Sequence, residues 1–444
     1  MKKSLYYIAT LLTILAVVAV FNIYYDMDSS NAAENVAAAD NFTYPIVATA
    51  QNKCYDQYNS VINCASASSN LYGQDAQYIS NKPSYSDNGD GTVTDNVTGL
   101  MWQQKLGSKM SWQDAVNGAA SFNLAGYNDW RLPNIKELYS LINFSGSSGT
   151  PQMSGYGRGE PNFYQVPDDA SPYIDTRYLN FDYGDVNNGE RYIDAQEWSS
   201  TKYVGFTMNG ETSAFGVNFA DGRIKAYGTQ ARRRQDLRFA RYVRGNLLYG
   251  KNKFVDNGDG TISDQASGLM WMSGDSGSLG AGSGRDGKLN WSEALKWCEN
   301  LEYANHSDWR LPNAKELQSI VDYSRAPAAT QSAAIDPIFK ISKIKDEGGR
   351  TNWPFFWTST THLDGPPAGP GGSKSTGFAI YVAFGQALGM MRIPPDSSNT
   401  QLLDVHGAGA QRSSPKFGNE ADFPVGAGPQ GDVIRVNNFA RCVR

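Results

Sequence analysis

The residues with the greatest chemical reach in this chain are cationic. Between Asp221 and Arg244 it carries Arg223, Lys225, Arg232, Arg233, Arg234, Arg238, Arg241 and Arg244 against only Asp221 and Asp236. Guanidinium groups present paired donors that match the oxygens of sulfate, carboxylate and phosphate. Arg232, Arg233, Arg234 and Arg238, with Lys225, are therefore expected to form an anion-binding or envelope-contact patch, with a solvated charged loop as the competing reading. Arg412 and Lys416, in a later stretch rich in Gly, Pro and Ser, are counted as further ligand candidates.

Carboxylates come next. Asp87, Asp90 and Asp95 lie in an Asp-Asn-Gly-Asp-Gly-Thr segment, and Asp256, Asp259 and Asp264 lie in a second copy of it. Hard cations such as Ca2+ want several oxygens on a Gly-rich turn. Yet the position where a calcium loop starting at Asp87 would place its bidentate Glu is Thr98. Asn-Gly and Asp-Gly are also favoured hairpin turns, so the structural reading is preferred and calcium is the alternative. Arg131 with Glu137, and Arg310 with Glu316, read as internal ion pairs. Trp102, Trp130 and Trp198 read as core aromatics rather than sugar platforms.

Catalysis finds little support. The three histidines, His306, His362 and His406, sit in no Glu- or Cys-containing ligand motif. Two His and a carboxylate would suit a mononuclear iron site, which these three could in principle supply, but a catalytic constellation is missing, and the chain is expected not to be an enzyme. The four cysteines, Cys54, Cys64, Cys298 and Cys442, have neither zinc-site nor Cys-x-x-Cys spacing.

The elements that must hold these residues come in duplicate. Asp87 to Asp95 and Gly99-Leu-Met-Trp102 return as Asp256 to Asp264 and Gly268-Leu-Met-Trp271. Asp129-Trp-Arg-Leu-Pro-Asn134 and Lys136-Glu-Leu138 return as Asp308-Trp-Arg-Leu-Pro-Asn313 and Lys315-Glu-Leu317, Trp198-Ser-Ser-Thr201 as Trp357-Thr-Ser-Thr360, and Arg241-Tyr-Val-Arg244 as Arg441-Cys-Val-Arg444. The separation between matching blocks changes along the chain, which places insertions in surface loops. The largest lies between Gly385 and Asn437 of the second copy.

Each copy predicts a hairpin from Tyr85 to Trp102. A helix over Ser111 to Leu124 follows, and a second opens at Asn134 with Glu137 three residues on, a capping-box spacing. Strands come last, in which Phe215, Val217 and Phe219, or Phe378, Ile380, Val382 and Phe384, alternate. The expected class is α+β: two tandem modules, 85–245 and 253–444, each with a hairpin, two helices and an antiparallel β region with long loops. An extension over 41–84 precedes them.

Lys2 and Lys3 followed by uncharged Ser4 to Tyr25 read as an export signal, between a signal peptide with about 7–15 apolar residues and an anchor of about 20. Residues 1–40 are accordingly a signal peptide or membrane anchor, and the rest is expected in the periplasm, on the outer surface or secreted. A net charge of -5 argues against a nucleic-acid partner.

In combination, these repeated motifs resemble the Lcl C-terminal domain family, typified by the C-terminal region of the Legionella collagen-like adhesin. The resemblance implies C-type-lectin-like modules, distantly akin to formylglycine-generating enzymes, and binding of sulfated polysaccharide. The adhesin's collagen-like Gly-X-Y tract is absent here. The cysteines bear on the same fold. Cys298 and Cys442 align with Ala119 and Tyr242 of the first copy, so both are missing together, as a bond between them predicts. Such a bridge from first helix to last strand resembles the long disulfide of C-type lectins, and a chain-entropy model gives it about 4–5 kcal/mol. Cys54 and Cys64 then pair in the extension. Three functions follow as expectations: recognition of an anionic polysaccharide, assembly with other envelope proteins, and, least supported, a formylglycine-generating-type oxidase.

Overall fold

The computed structural model describes residues 42–78, 80–150, 162–208, 210–230, 236–364, 376–393, 398–426 and 431–444. The leader lies outside them, and among the described residues no helix is long and apolar enough to cross a membrane.

The extension contributes a two-stranded hairpin, β1 (Cys54–Tyr55) and β2 (Val61–Ile62), closed by the Cys54–Cys64 disulfide. The first repeat opens with the antiparallel meander β3 (Tyr85–Asp87), β4 (Thr92–Asp95) and β5 (Leu100–Gln103). Its turn needs left-handed backbone at Gly89 and Gly91, with φ of 74° and 87°, which only glycine adopts without strain. Helix α1 (Trp112–Ala119) is capped by Ser111, whose side chain accepts from the Asp114 amide. It stops short of the expected Leu124, because Leu124 and Tyr127 close a tight turn through Ala125 and Gly126, both with positive φ. Helix α2 (Ile135–Ser140) begins with the full Asn134/Glu137 capping box. Strands β6 (Gln196–Lys202), β7 (Ser213–Asn218) and β8 (Arg223–Gly228) follow, and β9 (Val243–Gly245) returns to pair with β5.

The second repeat follows the same course. It runs through β10 (Phe254–Asp256), β11 (Thr261–Asp264), β12 (Met270–Met272), α3 (Trp291–Glu299) and α4 (Ala314–Ser319), both helices opening with Asn/Glu capping boxes. A small hairpin, β13 (Ile344–Lys345) and β14 (Thr351–Asn352), precedes β15 (Phe355–His362) and β16 (Phe378–Ala383). The insertion after Gly385 forms a second hairpin, β17 (Leu388–Arg392) with β18 (Thr400–Asp404), before β19 (Gln411–Pro415). The whole is a mixed α+β fold in which strands and loops predominate.

The repeated tryptophans explain why both copies close alike. Trp112 and Trp291 donate to the carbonyls of Ser199 and Thr358, Trp198 and Trp357 to those of Met110 and Leu289, and Trp130 and Trp309 to those of Leu124 and Tyr303. Each indole buries a large apolar body and pins one carbonyl of a neighbouring segment. Arg131–Glu137 and Arg310–Glu316 are two-pronged ion pairs whose carboxylates also accept from the cap amides of Asn134 and Asn313. Cys298 and Cys442 are joined, with Cα atoms 5.6 Å apart. In the first repeat Tyr242 takes over that junction, its hydroxyl donating to the Ala115 carbonyl of α1 at 3.1 Å and its ring packing on Phe122.

The repeats are not beads on a string. Strands β6, β7 and β8 of the first and β15, β16 and β19 of the second form one six-stranded sheet, ordered β15-β16-β19-β8-β7-β6, with β19 and β8 at the seam. Helices α2 and α4 pack against each other and, respectively, on β6 with β7 and on β15 with β16. One apolar core runs through both, including Leu138 and Val217 of the first repeat with Leu317 and Ile380 of the second. The contact is reciprocal. The Lys136 ammonium donates to the Ser319 carbonyl at the end of α4, and that of Lys315 to the Ser140 carbonyl at the end of α2, at 2.7 and 2.8 Å. Tyr44–Arg444 is accordingly one compact unit. Gln51 of the extension spans both halves, its amide donating to Phe144 and Thr361 carbonyls.

Candidate functional site

A cleft of about 920 Å³ lies between the sheet end of the first repeat and the β17–β18 hairpin of the second. Strand β8 builds its floor. Ile224 enters the common core, whereas Lys225 and Tyr227, two apart on the other face, line the cleft. Arg238, just before the last strand, closes the floor, its guanidinium 5.0 Å from the Tyr227 ring centroid and 5.7 Å from that of Trp198. Opposite stand Met390 and Met391 of β17 and His406 beyond β18. Three hydrogen bonds hold the hairpin there: Tyr203 hydroxyl to Asp404 carboxylate at 2.6 Å, Met208 amide to Asp404 carbonyl, and Ala226 amide to His406 carbonyl, both at 2.8 Å.

The floor carries cations with little water around them. Burial, reinforced by the nearby charge of Arg412, pushes the Lys225 ammonium down to about 7. Burial likewise pushes His406 down to about 4, despite the Asp432 carboxylate that its Nε2 meets at 2.6 Å. The Tyr227 hydroxyl is buried and has no hydrogen-bond partner among the described residues. At the rim, Arg191 pairs with Asp194 and Lys109 with Glu190. A cleft of this kind can place cationic and hydroxyl donors on a ligand's oxygens while two thioethers cover its apolar face.

The structure places the described members of the cationic cluster in different surroundings. Arg232, Arg233 and Arg234 lie outside the described residues. Lys225 and Arg238 meet in the cleft. Arg223 is buried in ion pairs with Asp221 and Asp364. Arg241 is fully buried, bound to Glu197 and to three carbonyls, while Arg244 pairs with Asp129. Arg412 is buried against Asp432. Lys416 is 1% exposed, donates to the Asp56 carbonyl at 2.9 Å and sits 4.1 Å from the Trp291 ring centroid. Arg412 and Lys416 are therefore structural, because buried charges need partners and these have internal ones.

The six aspartates serve their own turns. Asp87 and Asp256 accept from the amides of Gly89 and Gly258, and Asp90 and Asp259 from amide and hydroxyl of Thr92 and Thr261. Asp95 and Asp264 are buried and accept from amides of the next turn. These are Asx turns, and among the described residues no group of three or more His, Cys, Asp or Glu could hold a metal. His362 is buried with Nε2 on the Asp221 carbonyl, and burial, with Arg223 close by, pushes it down to about 3.

Sequence reasoning missed Tyr227, His406, Met390 and Met391. Period-two spacing from Lys225 would have found Tyr227. Nothing local announces the other three, since they reach the cleft only through the hairpin's return onto the first repeat.

No curated protein and no solved structure matches this chain. The model of the Lcl C-terminal domain matches residues 91–244 and again residues 260–399. With more than half of its length matched in two consecutive segments, the chain belongs to the Lcl C-terminal domain family, as a tandem pair.

Proposed function

We propose that this is an exported, non-catalytic, adhesin-like protein of the cell envelope whose cleft takes an acidic, sulfated polysaccharide. The observation that carries this reading is the meeting of Lys225, Arg238 and the unpartnered Tyr227 hydroxyl on one cleft floor. The family supports it, as does the uncharged leader after Lys2 and Lys3. On this reading each repeat is a C-type-lectin-like module, and the disulfide from α3 to the closing segment of the second repeat is compatible with that architecture. Burial of His362 and His406 in structural hydrogen bonds favours binding over chemistry.

The test is chromatography on heparin or dextran sulfate with a salt gradient. The protein should be retained, with retention falling steeply as salt rises, because the contacts are ionic. Lys225→Ser with Arg238→Ser should elute at clearly lower salt, and Arg232, Arg233 and Arg234 changed to Ser should add to the shift. Retention indifferent to all five changes would remove the reading. A stable envelope-protein partner recovered by crosslinking, with no glycan bound, would instead favour an assembly role, for which the exposed Leu247 and Leu248 of the junction offer an apolar contact.

A further inference from the structure

The second repeat holds a cavity at the place that corresponds to the cleft of the first. Backbone bridges establish the correspondence: Met110 with Arg238 matches Leu289 with Asn438, and Glu197 with Phe239 matches Phe356 with Phe439. Arg238 thus corresponds to Asn438 and Gln196 to Phe355. Both Asn438 and Phe355 line a pocket of about 240 Å³.

Its chemistry has diverged. Apolar side chains, Phe423, Val425, Val433 and Ile434, share the pocket with Arg435 and with Lys288, Lys345, Glu347 and Glu420. That guanidinium sits 4.1 Å from the Phe355 ring centroid and commits Nε and Nη2 to the Glu347 carboxylate at 2.7 and 2.9 Å. With Arg435 neutralised by Glu347, and Glu420 in the same lining as Lys288 and Lys345, the pocket has no strong bias toward an anion. Its Nη1, however, is buried with no hydrogen-bond partner among the described residues, and so is Oδ1 of Asn438, a side chain 1% exposed. The two residues are tied together, Asn438 Nδ2 donating to the Arg435 carbonyl at 3.0 Å.

Buried polar atoms are nearly always paired, so exceptions mark a missing partner. One orphan donor and one orphan acceptor, on two residues that line a pocket with an apolar side, are the complement of a secondary amide. Its carbonyl accepts from Arg435 Nη1, its N–H donates to Asn438 Oδ1, and its methyl packs beside Val433 and Phe423. We propose that this pocket takes an acetamido group, as carried by an N-acetylhexosamine or an N-acetylated amino acid. It is a second ligand site, independent of the cationic cleft.

Ligand-observed saturation-transfer NMR on the mature chain tests this, with N-acetylglucosamine, glucosamine and N-acetylalanine each at about 10 mM, a concentration suited to millimolar affinity. Transfer to the acetyl methyl is expected, with glucosamine silent. A response from N-acetylglucosamine alone assigns the sugar, one from N-acetylalanine alone assigns a peptide, and one from both assigns the acetamido group itself. Val425→Trp, at a position 48% exposed at the pocket, and Arg435→Lys should each cut the response at least about fivefold. Val61→Trp, an equal addition at an exposed site of the extension, should leave it intact. The proposal is overturned if glucosamine responds as strongly, if the signal survives Val425→Trp, or if no acetamido compound responds.

Discussion

Tyr242 shows how much one side chain can substitute for. It stands where the second repeat has Cys442, and its hydroxyl and ring link the last strand to α1, which the second repeat links covalently. Tyr242→Phe should cost about 1 kcal/mol, the ordinary loss for one hydrogen bond, and Tyr242→Ala about 3–5 kcal/mol, as for other large core truncations. Urea unfolding at matched pH measures both, and equal losses would mean that the hydroxyl, not the ring, holds the junction. The turn aspartates carry a second prediction at this scale. Because Asp87, Asp90, Asp256 and Asp259 already accept from their own turns, neither excess calcium nor a chelator should move the thermal midpoint. A calcium-dependent rise would restore the metal reading.

At the scale of elements, the covalent bridge and the caps act on different states of the chain. The Cys298–Cys442 bond joins residues 144 apart, so its main effect is to restrict the unfolded ensemble. Replacing both cysteines with alanine should lower stability by about 2–5 kcal/mol, while the capped helices α3 and α4 persist in far-UV circular dichroism below the transition. The hairpin β17–β18 is a different kind of element. It belongs to the second repeat but is anchored on the first through Tyr203 and Asp404, so it closes the cleft only because the repeats share a sheet. Asp404→Asn preserves the shape of that anchor and Asp404→Ala does not. The alanine variant should weaken heparin retention more than the asparagine variant does, and equal retention of the two would show that the hairpin plays no part in binding.

Tyr44–Arg444 behaves as one body because the seam between β8 and β19, the helix pair α2–α4 and the crossed lysines all join the two repeats. Proteolytic nicking at the exposed Leu247 and Leu248 should therefore leave a complex that co-elutes in gel filtration under native conditions. Separation without denaturant would contradict a common core. The pH response follows from buried lysines. Burial holds Lys225 and Lys315 down to about 7, against 10.5 for a free lysine. Between about pH 7 and 9 the unfolded chain keeps protons that the folded chain has released, so stability rises with pH in that window. Thermal midpoints at pH 7 and pH 9 check the sign, and Lys315→Met should flatten the rise.

Much of this was legible in the residues themselves: the duplication, the glycine-dependent turns, the capping boxes, the ion pairs of Arg131 and Arg310 and both disulfides follow from short-range spacing or from comparing one copy with the other. Such features depend on backbone geometry within a few residues, which local residue types dictate. Which cations face a ligand did not follow, since Arg241, Arg412 and Lys416 look like their exposed counterparts until tertiary packing surrounds them with carbonyls and carboxylates. Nor did the cleft, because its opposite wall comes from an insertion some 160 residues along the chain, and only the continuous sheet, formed by burying the apolar faces of two repeats against each other, brings that wall to Lys225 and Tyr227.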